Sequence, residues 1–192
     1  MSSARLQAFS DGVLAIIITI AVLGIHVPSE PTLESLTPLI PLILIYAWSF
    51  DVIGTYWNNH HHLFKAAKEV NGAIMWANLL LLFNLSLVPF ATQWLGENIF
   101  QPWPTAIYSA VLLASALSYS LLAYTITQHE KNNLHVTSLI SKDSARGVSL
   151  IFYILAVAFS FIYPLLSYIL IVAVAAFWFL PERQYRRYFG SF

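Results

Sequence analysis

Three groups of polar residues interrupt a sequence that is otherwise rich in apolar side chains. The first is the tripeptide Phe-Ser-Asp at 9–11, which stands at the head of a long apolar run. The second is the lone carboxylate Asp51, and the third is the stretch 57–62, which reads Trp-Asn-Asn-His-His-His. Carboxylates and imidazoles can carry protons, bind cations or form hydrogen bonds. These residues are therefore the first candidates for chemistry.

The composition decides what kind of molecule must position them. Of the 192 residues, 58% are hydrophobic and only 9% are charged, and the mean hydropathy is +0.70. A soluble domain carries roughly a quarter charged residues, so this chain is predicted to be an all-α integral membrane protein. The formal net charge of zero gives no reason to expect a nucleic-acid partner. The absence of cysteine excludes disulfides, thiolate nucleophiles and cysteine-based metal sites.

Charged residues divide the chain into uncharged segments that are long enough to cross a bilayer. A crossing needs about 20 residues at a rise of about 1.5 Å each. The uncharged run 147–181 is too long for one span, and Pro164 near its middle favours two short spans joined by a tight turn. We predict a single six-helix transmembrane domain over 1–192. Its spans are predicted at about 6–26, 38–63, 72–95, 104–128, 147–163 and 165–181.

The distribution of basic residues supports six spans rather than five. With six spans, all nine Lys and Arg residues lie on the same side as the N-terminus, while the opposite loops carry only Glu30, Glu34 and Glu97. Five spans would place the last three arginines on the other side. Because basic residues accumulate in cytoplasmic loops, we predict that both termini are cytoplasmic. The nine are Arg5, Lys65, Lys68, Lys131, Lys142, Arg146, Arg183, Arg186 and Arg187.

Asp11 has three possible roles at the start of the first span. Ser10 and Asp11 could cap the helix at the membrane interface, where an acid suits the positive helix end. Asp11 could instead make a polar contact that fixes the first helix against its neighbours, or it could be a ligand for an ion or a proton. Helical spacing separates it from one apolar stripe, because Asp11 lies about 140° from Ile16. Within an arc of about 100° that stripe contains Ile16, Thr19, Ile20 and Leu23.

The histidine run also leaves alternatives open. Three consecutive histidines point about 100° apart on a helix, so they cannot all bind one metal ion, which would require spacing at i and i+4. They could lie at the interface, or they could form hydrogen bonds toward the first helix. Asp51 lies deeper in the second span and must face a partner or water, because an unpaired carboxylate in hydrocarbon is costly. No nucleophile arrangement or phosphate-binding loop is visible, so we predict neither an enzyme nor a cofactor.

The sequence resembles a known family of channels. The segment 5–11, Arg-Leu-Gln-Ala-Phe-Ser-Asp, is similar to the R-x-x-x-F-S-D signature that opens the first helix of the transmembrane protein 175 family. This family comprises endosomal and lysosomal potassium channels and their six-span prokaryotic relatives. The likeness continues through residues 12–16 and Thr19. Trp57 with the following histidines resembles the family's W-x-x-H-H run, and residues 84–90 resemble its third span.

The resemblance implies a potassium channel and assigns roles to residues. It implies a homotetramer in a lipid bilayer, with a central pore lined by the first helices and no T-V-G-Y-G filter. Potassium ions would be the permeant ligand, and the prokaryotic plasma membrane would be the location. The implied constriction comprises Ile16, Thr19, Ile20 and Leu23. The residues implied to lock the first helix are Arg5, Phe9, Ser10 and Asp11, with supporting interhelical contacts from Trp57, His60, His61 and Asn84.

Two functions from different classes follow from these observations. The first is a potassium-selective channel in which rings of isoleucine and leucine form a hydrophobic constriction. The second is a proton-coupled membrane transporter that uses Asp11, Asp51 and the cluster His60–His62. No span is rich in arginine, so the channel is not expected to depend steeply on voltage.

Overall fold

The computed structural model describes residues 2–67, 69–130 and 144–179, and the regular elements in these ranges are helices. Two short 3-10 helices, Val22–Gly24 and Glu34–Leu39, flank the loop between the first two long helices. The predicted all-helical class is therefore confirmed. The α-helices are α1 (Ser3–Ala21), α2 (Ile40–Ala66), α3 (Gly72–Ser86), α4 (Val88–Glu97), α5 (Pro102–His129), α6 (Ser144–Phe159) and α7 (Pro164–Phe179).

Within the residues that the structure describes, four helical segments are long and apolar enough to cross a membrane. They are Ser3–Gly24, Glu34–Lys65, Gly72–Glu97 and Pro102–His129. Two shorter apolar segments, Arg146–Ser160 and Pro164–Ala175, follow in the described part of the chain. Several long apolar helices in one chain indicate a protein that passes through the membrane more than once.

The segment predicted as one third span consists of two helices. α3 ends at Ser86, and α4 begins at Val88, so that Pro89 lies in the first turn of α4. Proline has no N–H to donate to the carbonyl four residues earlier, and its ring clashes with that carbonyl. In the first turn of a helix the missing donor has no cost. Pro89 therefore interrupts the span and at the same time starts its second half.

The bundle is arranged around α5. This helix packs against α3, α4, α6 and α7, while α1 packs against α2, α3 and α4. The helices α2 and α4 approach each other closely at Gly96. A Cβ atom added to Gly96 would lie 2.3 Å from Leu42 Cδ1 and 2.9 Å from its Cα. Glycine at 96 thus permits backbone contact between these two helices, as small residues commonly do in membranes.

A buried set of hydroxyl groups fixes α4 on its neighbours. Thr92 donates a hydrogen bond of 2.7 Å to Ser49 Oγ, and Ser49 is hydrogen-bonded to the Tyr108 hydroxyl at 2.9 Å. Ser49, Thr92 and Tyr108 are all at most 2% exposed. A buried polar group is costly unless it is hydrogen-bonded, so this set favours one arrangement of α2, α4 and α5.

The long uncharged run near the end of the chain forms the antiparallel pair α6 and α7. Ser160 and Ser167 both donate hydrogen bonds of 2.7 Å to the carbonyl of Ala156. Pro164 is the first residue of α7, a position where its fixed φ suits the helix. The tight turn expected at this proline is therefore where the chain reverses.

Candidate pore-lining surface and its polar anchor

α1 has a buried side that faces the rest of the protein. Its buried residues follow one another at intervals of three or four, which places them on one side of the helix. This side packs against α2, α3 and α4. The buried residues are Leu6, Ser10, Leu14, Ile17 and Ala21.

A directional chain of hydrogen bonds connects α1 with α2 and α3. The Ser10 hydroxyl donates to the carbonyl of Leu6 at 2.9 Å, so its oxygen is left to accept from Asn78 Nδ2 at 2.9 Å. The Asn78 Oδ1 atom then faces His60 Nε2 at 2.8 Å, and this ring nitrogen must donate. Ser10, His60 and Asn78 are at most 1% exposed. We call these three residues the buried triad.

Further polar contacts join the same part of α1 to α2 alone. Trp57 Nε1 donates to Asp11 Oδ1 at 2.9 Å. The Gln7 side-chain amide is hydrogen-bonded to His61 Nδ1, and the Ser3 hydroxyl donates to the carbonyl of Phe64 at 3.1 Å. With the buried triad, these contacts form what we call the polar anchor of α1.

The capping role considered for Ser10 and Asp11 is wrong. α1 begins at Ser3, with Ser2 at its N-cap position, so both residues lie more than one turn inside the helix. Groups at these positions have no free backbone N–H of the first turn to accept from. Ser10 is buried against Asn78, and Asp11 faces the indole of Trp57.

The opposite side of α1 is apolar and uncovered, and the 3-10 helix Val22–Gly24 extends it to Leu23. Within one chain, Ile16 is 58% exposed, Ile20 is 49% exposed and Leu23 is 78% exposed. Thr19 is exposed beside them and donates to the carbonyls of Ala15 and Ile16, both at 3.0 Å. These residues follow a helical spacing of three and four and form what we call the apolar stripe: Ile16, Thr19, Ile20 and Leu23.

A groove of about 780 Å³ runs between the apolar stripe and α4. On the side of α4 its wall is formed by Pro89, Phe90 and Gln93. Gln93 donates to Glu97 Oε1 at 3.1 Å, and its own amide oxygen lies 2.9 Å from where a Cβ of Gly24 would be. The second half of α1 therefore borders an open groove, whereas the first half is packed through the contacts of the polar anchor.

The remaining predicted site residues lie elsewhere. Arg5 and Phe9 are on the exposed side of α1, and Phe9 is 52% exposed. Asn84 donates from α3 to α5, to the carbonyl of Ala114 and the hydroxyl of Ser118, both at 3.3 Å. Asn84 thus makes an interhelical contact that does not involve α1.

The structure separates Asp51 from the other residues of the transporter alternative. Asp11 contacts Trp57, and His60 contacts Asn78. Asp51 lines a different, small cavity next to Tyr119. Within the described ranges, no group of three or more His, Asp or Glu residues is placed to hold a metal ion.

Three side chains of the polar anchor, Ser3, Gln7 and Asn78, were not among the predicted site residues. Asn78 is detectable in principle, because an amide in the apolar segment of α3 requires a partner. Gln7 carries no such signal, since it lies near the end of a span where polar residues are common. Its contact with His61 depends on how α1 and α2 are placed side by side.

The long apolar helices define the chain as a polytopic membrane protein. One of these helices, α1, is held by polar contacts on one side and is uncovered on the other. Residues 5–89 match the family model described as endosomal/lysosomal potassium channel TMEM175. A potassium channel of Chryseobacterium sp. (strain P1-3) is 46% identical over 184 residues, which are 96% of this chain and 96% of that protein. The chain belongs to the TMEM175 family, as the signature at 5–11 predicted.

More distant relatives and a solved structure agree with this assignment. The human endosomal/lysosomal proton channel TMEM175 is 32% identical over 114 residues, which are 53% of this chain and 23% of that protein. The crystal structure of a lysosomal potassium-selective channel TMEM175 homolog from Chamaesiphon minutus matches with a TM-score of 0.79 and 31% identity. It covers 93% of this chain and 96% of that one. The family is one of ion channels, not of enzymes.

Proposed function

We propose that the chain forms a potassium-selective cation channel whose pore is lined by the apolar stripe of α1. The observation that carries this proposal is the exposure of Ile16, Ile20 and Leu23 on a helix whose other side is fully packed. Lipid could cover such a stripe, but the stripe begins beside a polar anchor that fixes the rotation of the helix. A fixed rotation is what a pore-lining helix needs.

The proposed assembly is a homotetramer of six-span chains with both termini in the cytoplasm. α3 and α4 together form the third span, and α6 and α7 form the fifth and sixth. The outer side then carries Glu97 and the two glutamates of the loop before α2, with no basic residue, as expected from the positive-inside rule. Such a channel would lie in the plasma membrane of a prokaryotic cell.

The proposed mechanism needs no carbonyl filter. Rings of Ile16, Ile20 and Leu23 around a narrow axis disfavour bulk water, and an apolar constriction of this kind can control conduction by dewetting. Potassium loses part of its hydration shell more readily than sodium does, so a narrow ring favours potassium. The Thr19 hydroxyl donates to its own helix, which leaves an oxygen lone pair that can face a passing cation.

The test is bilayer recording of the purified protein under opposed potassium and sodium gradients. We expect a reversal potential close to that of potassium. Replacing Ile16 by Asn widens and wets the ring, so conductance rises and the reversal potential moves toward zero.

Ile154→Asn is the matched control. Ile154 lies on α6 and is 54% exposed, close to the 58% of Ile16, so the two substitutions introduce the same polar group at similarly exposed sites. The control should keep the selectivity of the original protein. Equal currents from the original protein and from Ile16→Asn would show that Ile16 does not line the pore.

A further inference from the structure

We propose that Asp51 and the polar groups around it form a binding site for one monovalent cation, located inside each chain and away from α1. The cavity measures about 30 Å³, which is room for roughly two water molecules. Its wall combines side chains from α2, α5, α6 and α7. The polar residues of the wall are Asp51, Thr55, Tyr56, Asn59, Tyr119 and Tyr153.

The position of Asp51 makes an empty cavity unfavourable. Asp51 lies close to the midpoint of α2, which is 27 residues long, and therefore near the middle of the bilayer in the proposed orientation. Among the described residues, none forms a hydrogen bond or an ion pair with its carboxylate. An ionised carboxylate at this depth costs several kcal/mol unless its charge is compensated.

The chemistry of the wall selects the class of ion. Carboxylate, hydroxyl and amide oxygens are hard ligands, which bind alkali and alkaline-earth cations rather than transition metals. The wall offers a single formal negative charge, so one monovalent ion neutralises it, whereas a divalent ion would leave an excess positive charge in a low-dielectric region. A space sized for water favours potassium, which is close to water in size, over the smaller sodium ion.

The surroundings of the cavity suit an ion that connects helices. Tyr56 and Tyr119 meet edge to face at 5.9 Å between ring centroids, and the Tyr119 hydroxyl donates to the carbonyl of Asn59 at 3.4 Å. Tyr153 from α6 is 5% exposed and closes the other side. A cation here would contact α2 through Asp51 and Thr55 and would hold α5 and α6 against it.

The experiment is thermal unfolding of the purified full-length protein in detergent at constant ionic strength. Potassium, sodium or N-methyl-D-glucamine is the only cation varied, and the pH is fixed. At about ten times its dissociation constant, potassium should raise the melting temperature of the original protein by about 3–6 °C, and sodium should raise it less. Asp51→Asn should abolish the potassium increment, whereas the control Glu34→Gln, an exposed acid on a 3-10 helix, should keep it.

A second variant keeps the proposal testable if Asp51→Asn fails to fold. Thr55→Val leaves the carboxylate in place and removes one hydroxyl of the cavity wall, so the potassium concentration at half effect should rise several-fold. The proposal is overturned if the melting temperature of the original protein is insensitive to potassium, or if Asp51→Asn retains the full increment. Asp51→Asn should also keep the potassium reversal potential, so failure of this site is distinguishable from failure of the proposed pore.

Discussion

Two successive stretches at the start of the chain differ in what holds them: the inner part of α1, residues 3–11, and its outer part, residues 12–21 with the 3-10 helix that extends it to Leu23. Between residues 3 and 11, four side chains of α1 form hydrogen bonds that hold α2 or α3. Between residues 12 and 23, the side-chain hydrogen bonds come from Thr19, which donates to the carbonyls of Ala15 and Ile16 in its own helix. The difference teaches that polar residues fix the position and rotation of this helix, and that apolar residues are left free to face a conduit.

The same contrast appears between the two sides of the outer part. Leu14 is 1% exposed and Ile16 is 58% exposed, although they are only two residues apart. Successive residues on a helix are about 100° apart, so a rotation of α1 by about 200° would bring Ile16 to the side that Leu14 now occupies. The polar anchor prevents that rotation, because each of its hydrogen bonds requires one helical face to point at α2 and α3.

The largest expected effect on stability comes from substitutions that compare the two sides of α1. Leu14→Ala should lower the free energy of unfolding by about 2–5 kcal/mol, because it leaves a cavity in the packed side. Ile16→Ala should change it by no more than about 0.5 kcal/mol, since Ile16 makes few contacts within the chain. Denaturant titration of the detergent-solubilised, dissociated chain measures both. Equal losses at the two positions would contradict the assignment of the sides.

Asn78→Leu should break the polar anchor at its centre. The substitution leaves the Ser10 hydroxyl oxygen and the His60 Nε2–H without partners, and each buried unsatisfied group costs about 1–3 kcal/mol. Melting curves of Asn78→Leu and of Trp76→Leu should differ clearly, because Trp76 lies on the same helix but is 68% exposed. A variant Asn78→Leu as stable as Trp76→Leu would show that the buried triad does not hold α1.

Trp57→Phe tests the contact at the end of the anchor. It removes the indole N–H that donates to Asp11 and should cost about 1 kcal/mol. A double-mutant cycle with Asp11→Asn isolates the coupling between the two side chains. Strictly additive losses would mean that the hydrogen bond does not contribute to stability.

Thr19→Val should have the smallest effect on stability. The Thr19 hydroxyl is exposed and bonds only its own helix, so its loss should shift the free energy of unfolding by about 0.5 kcal/mol or less. Ser10→Val is the matched control, with a buried hydroxyl that accepts from Asn78. If Thr19→Val destabilises the chain as much as Ser10→Val does, the outer part of α1 is held by contacts with other helices.

The family and the apolar stripe could be predicted from the sequence because both depend on local spacing. The signature at 5–11 predicted the family, which the relatives confirm, and helical angles alone placed Ile16, Ile20 and Leu23 on one face. The break between α3 and α4 falls inside the segment 72–95, which was predicted as a single third span. The structure ends α3 at Ser86 instead, because the proline removes the donor and the space needed by the preceding turn.

Other parts depend on how helices far apart in sequence meet. The sequence alone did not decide between several roles for the histidine run, because consecutive side chains on a helix face different directions. The structure directs His60 to Asn78 and His61 to Gln7. No local pattern specifies these pairings, since they follow from the relative placement of α1, α2 and α3. The capping role of Ser10 and Asp11 failed for a related reason, as the helix starts earlier than the apolar run.

The central claim is that the apolar stripe, and not the packed side of α1, faces the conduit. The sequence contains no cysteine, so single cysteines can be introduced from Leu14 to Leu23 without removing any. Each variant would be recorded in bilayers during exposure to a small charged thiol reagent. We predict that potassium current changes at positions 16, 20 and 23 and stays constant at 14, 17 and 21. A change of current at positions 14, 17 or 21, or no change of current at any of the six positions, would contradict the claim.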